Sequence, residues 1–173
     1  MSKTLKLAAA DAEDLEILSA RLQDAAAKMK DLVWLPKQRR FAALFNRFRW
    51  EDSAGQSTRV RAGLHFDSVL SVQSQNLKRG APDAVVSLLT MTFAPKGGED
   101  PGGVIELVFA GGGTIRLAVE CIDAELSDLT GPWGAYTHGA YVVGTDGRVT
   151  FSVVGEHPYT DYESLLSAAG KAK

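Results

Sequence analysis

Residues 32–51, reading LVWLPKQRRFAALFNRFRWE, constrain the fold more than any other stretch of the chain. Four aromatic residues and five arginines and lysines precede Trp50 in this segment. Apolar and polar residues alternate through much of it, which is typical of a β-strand with one face against a core. We therefore expect two strands, residues 31–35 and 39–50, joined by a turn at residues 36–38.

The longer of these two predicted strands changes phase along its length. Its apolar positions are first Phe41, Ala43 and Phe45, and then, in the opposite phase, Phe48 and Trp50. A phase change inside one strand indicates a bulge or a bend, which we expect near Asn46. Arg47 and Arg49 are then expected together on the face opposite Phe48 and Trp50.

An amphipathic helix is predicted before this hairpin. Apolar residues recur at three- and four-residue spacing from Leu15 to Met29, and Asp11 is the expected N-cap. After the hairpin, alternation predicts a strand at residues 59–66 and another that begins at residue 69. Further strands are predicted at residues 85–93, 104–110 and 114–122. The glycines and prolines of residues 94–103 indicate a loop. Residues 123–129 are expected to form a short helix.

These elements predict the α+β class and two regions of chain. Sequential hairpins without crossover helices favour a curved, mostly antiparallel sheet or part-barrel, with the pleckstrin-homology shape as one candidate. The single N-terminal helix packs on it. Residues 1–130 are the expected main domain. Residues 131–173 are expected to be a C-terminal hairpin and helix packed on that domain, since Asp146-Gly147 is a turn signal and Thr160 begins a capping box.

Composition and charge exclude several classes of protein. No run of about 18 apolar residues is present, so we expect no membrane span and no membrane partner. A single cysteine, Cys121, excludes an internal disulfide framework, and no secretory signal is evident, so we expect a cytoplasmic protein. The net charge of −2 divides into +4 for residues 1–84 and −6 for residues 85–173. This asymmetry fits an anionic partner, or equally an attraction between the two halves.

No catalytic, metal or cofactor site is predicted. The three histidines, His65, His138 and His157, do not pair at metal-ligand spacing with one another or with Cys121. His65 lies near Asp67 and is an acid–base candidate, although such a histidine is more often simply exposed. Residues 111–113 are three glycines without the Gly-Lys-Ser/Thr ending of a phosphate loop, and they indicate a turn.

The residues predicted to bind a nucleic acid or another partner belong to two adjacent strands. Arginines would neutralise phosphates while an aromatic ring stacks on a base. The alternative is that the aromatic side chains fill the core and the arginines form its solvated face, and the sequence pI of 5.9 favours this alternative. The candidates are Arg39, Arg40, Arg47, Arg49, Trp50, Arg59 and Arg61.

Three separated stretches resemble one protein family in the same order: LKLAAADAEDL near the start, RRFAALFNRFRWE, and IRLAVECIDAELSDL. The chain is similar over residues 5–130 to a bacterial family called the domain of unknown function number 2948. The resemblance implies a bacterial origin and no established activity, and it supplies no catalytic residue.

Three functions remain open from the sequence. The leading hypothesis is a non-enzymatic domain that binds another macromolecule, with a protein as the expected partner. A weak nucleic-acid-binding protein that uses the basic and aromatic strand is the alternative. An enzyme with an unrecognised site is the third. The sequence predicts neither the partner's identity nor an oligomeric state.

Overall fold

The computed structural model describes residues 4–51 and 58–130, together with the backbone of residues 133–134, 139–143 and 149–154. It contains one α-helix, α1 (Ala12–Arg21), and two 3₁₀ turns, Met29–Asp31 and Pro36–Gln38, within these residues. The strands are β1 (Lys6–Ala9), β2 (Ala26–Lys28), β3 (Leu32–Leu35), β4 (Arg40–Phe48), β5 (Thr58–Phe66), β6 (Val69–Gln75), β7 (Val85–Gly97), β8 (Asp100–Phe109), β9 (Thr114–Val119), β10 (Ala124–Asp128), β11 (Trp133–Gly134), β12 (Gly139–Val143) and β13 (Val149–Val154).

The predicted α+β class and the mostly antiparallel sheet are confirmed. Eleven of the described strands form one open sheet in the order β1-β10-β5-β4-β2-β7-β8-β9-β6, with β3 paired to β4 and β11 to β5. Every strand pair in the described chain is antiparallel. The pleckstrin-homology shape stays a prediction.

Helix α1 begins as predicted and ends earlier. Asp11 is its N-cap, and the Asp11 side chain accepts a hydrogen bond from the backbone N–H of Asp14 at 2.8 Å. The helix stops at Arg21, and Asp24 adopts a positive φ of 61°, so the apolar spacing beyond Leu22 is not helical. The chain instead enters β2, a short strand that was not predicted. It pairs with both β4 and β7 and thereby joins the two halves of the sheet.

One hydrophobic core lies between α1 and the strands. The helix contributes Leu15 and Leu18, and its C-cap residue Leu22 joins them; all three are essentially without exposure to solvent. Their neighbours in the same cluster include Phe45 from β4 and Phe109 from β8. A core shared by both halves of the sheet makes the described part of residues 4–130 a single packed unit.

The prediction of a bulge in β4 is wrong. The register between β4 and β5 runs without a shift from the pair Phe41–Phe66 to the pair Phe48–Arg59. Every second residue of β4 is buried from Phe41 onward, and this buried face ends with Arg47. The apparent phase change arises because an arginine occupies a core position. Phe48 and Trp50 belong to the outer face.

Two further predictions of local structure are wrong. Residues 94–103 are not a loop, because β7 continues to Gly97 and β8 begins at Asp100, with Gly97 and Gly98 at positive φ in the turn. Residues 123–129 are not helical either. They contain β10, which pairs with β5 on one side and with β1 on the other, and these two ladders outweigh the local helical pattern.

The C-terminal region is described only in part. The predicted C-terminal hairpin is confirmed in the backbone as β12 and β13, which pair with each other in a separate two-stranded sheet. Its turn at residues 146–147 and the predicted terminal helix lie outside the described residues. The division into residues 1–130 and 131–173 stays a prediction. No helix in the described chain is long and apolar enough to cross a membrane.

Candidate functional site

The predicted binding residues Arg39 and Arg40 lie at the start of β4, and each contacts a carboxylate. Arg39 has a positive φ of 52°, and its Nη2 is 2.6 Å from Oε1 of Glu120. Arg40 Nε donates to Oδ1 of Asp67 at 2.7 Å. This hydrogen bond holds the pKa of the Asp67 carboxyl below its usual value. The positive charges of Arg39 and Arg40 are therefore each paired with a carboxylate of the same chain.

Arg47 is fully buried at the far end of the same strand. Its Nε and Nη2 donate to the two carboxylate oxygens of Asp128 at 2.8 and 2.9 Å, and Nη2 also donates to Glu51 at 2.7 Å. Burial opposes the charge on Arg47, but the hydrogen bonds to Glu51 and Asp128 outweigh it and raise the pKa of the guanidinium. Arg47 has no surface to offer a ligand in this structure.

The outer face at this end of β4 carries a small cluster of aromatic and basic side chains. The guanidinium of Arg59 lies 3.9 Å from the ring centroid of Phe48, at cation–π distance. The rings of Phe48 and Trp50 are 5.3 Å apart between centroids and tilted by 51°. Trp50 is 50% exposed, whereas the Arg49 side chain is only 8% exposed, with Nε 3.8 Å from Glu51. Of the seven candidates, the structure brings Trp50 and Arg59 together on an accessible surface.

Arg61, also on β5, lines a separate cavity of about 300 Å³ beside β2. Its Nη2 lies 3.9 Å from Oδ2 of Asp31. Lys28 and Lys30 line the same cavity, and each forms an ion pair with Asp83, at 3.8 and 3.1 Å.

Arg39 and Arg40 lie at the opposite end of β4 from the cluster around Phe48. The rise of a strand over eight residues puts about 26 Å between them. The candidates do not form one continuous basic surface.

The acid–base candidate His65 contacts Asp67, as its sequence position suggested. Its Nδ1 is 3.3 Å from Oδ2 of Asp67, and this buried nitrogen makes no hydrogen bond. His65 lines none of the cavities described here. Within the described residues, no group of three His, Cys, Asp or Glu side chains is arranged to hold a metal ion.

The largest groove described lies between α1 and β7 and holds about 690 Å³. We call it the α1–β7 groove. One face of the helix, with Ala12, Glu16 and Ala20, forms one wall together with Gln23 just after the helix, and residues 89–93 of β7 form the other. The spacing of the helical residues places them on one side of α1.

Helix and strand are held together at the middle of the groove. The hydroxyl of Ser19 accepts a hydrogen bond from the backbone N–H of Met91 at 2.8 Å and lies 3.2 Å from the hydroxyl of Thr90. Leu89 is 44% exposed at one end of the wall, in a bulge where β7 shifts register against β8. An exposed leucine beside a helix gives this groove an apolar contact point.

Trp50 lies at the same end of the groove as Gln23. Its indole Nε1 donates to the backbone carbonyl of Gln23 at 3.2 Å. The surface around the α1–β7 groove therefore includes two exposed large apolar side chains, Trp50 and Leu89. Sequence reasoning missed this site. The spacing of residues 12, 16, 20 and 23 was visible, but nothing in the sequence showed which strand the helix would accompany.

The comparisons with known proteins give a family and no activity. No curated protein and no solved structure matches the chain. The family described as "Protein of unknown function (DUF2948)" matches residues 5–140, slightly beyond the stretch in which the resemblance was recognised. The predicted resemblance is confirmed, and the chain belongs to the DUF2948 family.

Proposed function

We propose that this chain is a non-enzymatic protein-interaction domain of the cytoplasm that binds its partner through the α1–β7 groove. The observation that supports it best is the groove itself, flanked by exposed Leu89 and Trp50. Aromatic residues at the end of a concave surface are typical anchors of protein interfaces. The single cysteine in the chain accords with a reducing compartment.

The ion pairs of the arginines favour a protein partner over a polyanion. Arg39, Arg40 and Arg47 each lie within 2.8 Å of a carboxylate oxygen of the same chain. Neutralised guanidinium groups contribute little to phosphate binding, because the internal ion pair would have to be broken first.

The experiment compares how well two matched surface variants bind the partners that the wild-type chain captures. Leu89→Asp places a charge in the groove, and Leu70→Asp places the same charge on the end strand β6, where Leu70 is 48% exposed. Partners captured by the wild-type full chain are identified by mass spectrometry and purified, and their binding is measured by calorimetry. We expect Leu89→Asp to lose binding and Leu70→Asp to keep it. Equal binding by both variants would show that the groove is not the interface.

A second function has one specific observation in its favour. Phe48, Trp50 and Arg59 form an accessible surface on which a base can stack, which suits weak binding of single-stranded nucleic acid. An enzymatic role, the third hypothesis, has only the His65–Asp67 contact to support it, and no cavity described here adjoins that contact.

A further inference from the structure

We propose that the α1–β7 groove binds an extended segment of the partner protein as an added β-strand on the outer edge of β7, with a basic side chain of that segment against Glu16. This inference rests on the proposed function and names the kind of ligand. It follows from the backbone of β7, from the helix beside it and from the charge of the groove.

The backbone of β7 supplies the hydrogen-bonding groups. β2 covers the outer side of β7 from Val85 to Ser87, and the residues just before β2 continue this pairing to Leu88, whose N–H donates to Ala25 and whose carbonyl accepts from Asp24. Beyond Leu88, no strand in the described chain pairs with that side. The N–H of Met91 points outward, because it donates to Ser19. Successive residues of a strand alternate in direction, so the N–H and C=O of Phe93 point outward as well. An unpaired strand edge of this kind is a ready template for another strand.

Two residues limit where an added strand can pair. Ser19 already occupies the N–H of Met91, so pairing cannot extend past Met91 toward Leu89 without displacing the helix. Pro95, two residues after Phe93, has no N–H to donate. The new ladder is therefore short and centred on Phe93. The rest of the segment lies in the groove along α1, where Leu89 receives an apolar side chain.

The charge of the groove determines what the segment carries. Glu16 lines the groove, is exposed, and forms no ion pair with any described residue. Glu13 and Asp14 stand in the preceding turn of the same helix, so the helix is acidic at this end. A lysine or arginine on the segment would complement Glu16. The expected ligand is an extended segment with alternating apolar residues and one basic residue.

The first test uses the full chain and a display library of random twelve-residue peptides. We expect selection to enrich peptides of the stated pattern. With the best peptide bound, the amide of Phe93 should show slower hydrogen exchange by about tenfold or more, whereas the Met91 amide, already bonded to Ser19, should change little. A Phe93 amide that is equally protected in the free protein would overturn the proposal, because the edge would then be covered by the chain itself.

The second test is a charge exchange. Glu16→Lys should lower the affinity for the selected peptide by about tenfold. Replacing the peptide's basic residue with glutamate should restore binding to this variant. Glu13→Lys is the matched control, because it makes the same charge change on the same helix outside the groove wall. Equal effects of the two variants would contradict the contact with Glu16.

Other outcomes separate this inference from the proposed function. If no peptide is enriched while partner capture still depends on Leu89, the strand-addition inference fails and the interaction domain stands. If capture is also independent of Leu89, both fail. If sedimentation shows a dimer for the wild-type chain and a monomer for Leu89→Asp, a second copy of the chain occupies the groove. That result would overturn the proposal of a peptide ligand.

Discussion

The guanidinium of Arg47 and the carboxylate of Asp128, 81 positions apart in the sequence, form two hydrogen bonds of 2.8 and 2.9 Å in the protein interior. They join β4 to β10, two strands that both pair with β5 and do not pair with each other. Arg47 also donates to the carboxylate of Glu51 and to the backbone carbonyl of Phe48. Asp128 also accepts a hydrogen bond from the backbone N–H of Leu5 at 3.0 Å. The charge is buried because each partner is satisfied.

We predict that breaking this pair on one side destabilises the protein strongly. Asp128→Ala leaves the Arg47 charge buried with only Glu51 as its carboxylate partner, and it also frees the N–H of Leu5. The expected loss is about 3–5 kcal/mol in the free energy of unfolding. Urea denaturation followed by circular dichroism measures it.

The double variant Arg47→Met/Asp128→Leu should lose less than Asp128→Ala, since no unpaired charge remains in the interior. The exposed pair of Arg116 and Glu106, 2.6 Å apart, provides the control, and Arg116→Gln should cost less than about 1 kcal/mol. A small loss in Asp128→Ala, comparable to this control, would contradict the structural role given to the buried pair.

The ion pair between Arg40 and Asp67 predicts a pH dependence of stability. The hydrogen bond from Arg40 lowers the pKa of Asp67 below its ordinary value of 3.8, although burial opposes this. A carboxyl whose folded-state pKa is lowered stabilises the protein above its ordinary pKa, and this stability is lost as the pH falls through the folded-state value. We expect Asp67→Asn to be less stable than wild type at pH 6, with the difference shrinking below pH 3.8.

The measurement is thermal unfolding of wild type and Asp67→Asn at a series of pH values. Glu99→Gln serves as a control, because Glu99 is exposed in the β7–β8 turn. A difference between wild type and Asp67→Asn that stays constant from neutral pH to the lowest pH would show that ionisation of Asp67 contributes nothing.

Gly103 is predicted to be the least replaceable glycine of the β7–β8 hairpin. A Cβ atom there would lie 2.6 Å from Cε2 of Phe93 and would overlap the carbonyl oxygen of Ala94. Gly103→Ala should therefore cost about 1–3 kcal/mol and displace the Phe93 ring. Gly80→Ala is the control, because an added Cβ there meets no atom within 4 Å, and its effect should stay within about 0.5 kcal/mol. Urea denaturation distinguishes the two.

The nucleic-acid alternative makes its own prediction for the cluster around Phe48. If it is correct, the protein binds a labelled mixed-sequence single strand at low salt, and log affinity falls linearly with log salt concentration. The double variant Trp50→Ala/Arg59→Ala should lose this binding, whereas Arg116→Ala, exposed on β9, should keep it. Arg47 is a poor choice for this test, because its replacement disrupts the core. Fluorescence anisotropy measures the affinity, and no binding at low salt would exclude this function.

Much of the sheet was predictable from local patterns. The alternation in β5, with Val60, Ala62, Leu64 and Phe66 buried, is a direct consequence of the two-residue period of a strand with one face on a core. The start of α1 at Asp11 was predictable because a capping side chain acts within three residues. The family was also recognisable from three short stretches.

The failures share a physical cause. The apolar residues Phe48 and Trp50 predict Arg47 on the face opposite to them and away from the core, and the sequence around Arg47 contains no sign of Asp128, the carboxylate that allows its charge to be buried. The local pattern of residues 123–129 predicts a helix, because their two strand partners, β1 and β5, lie far away in the sequence and leave no local sign of the strand. The predicted set of seven binding residues is divided because Arg39, Arg40 and Arg47 pair with three different carboxylates, those of Glu120, Asp67 and Asp128.

The sequence alone determined which segments form the helix and most of the strands, since alternation, spacing and capping act over a few residues. The tertiary structure decided which face of β4 carries a buried charge, how β2 joins the two halves of the sheet, and where α1 lies along β7. These features depend on pairings between distant residues, and only the complete fold brings such partners within hydrogen-bonding distance. The groove between α1 and β7 exists for the same reason.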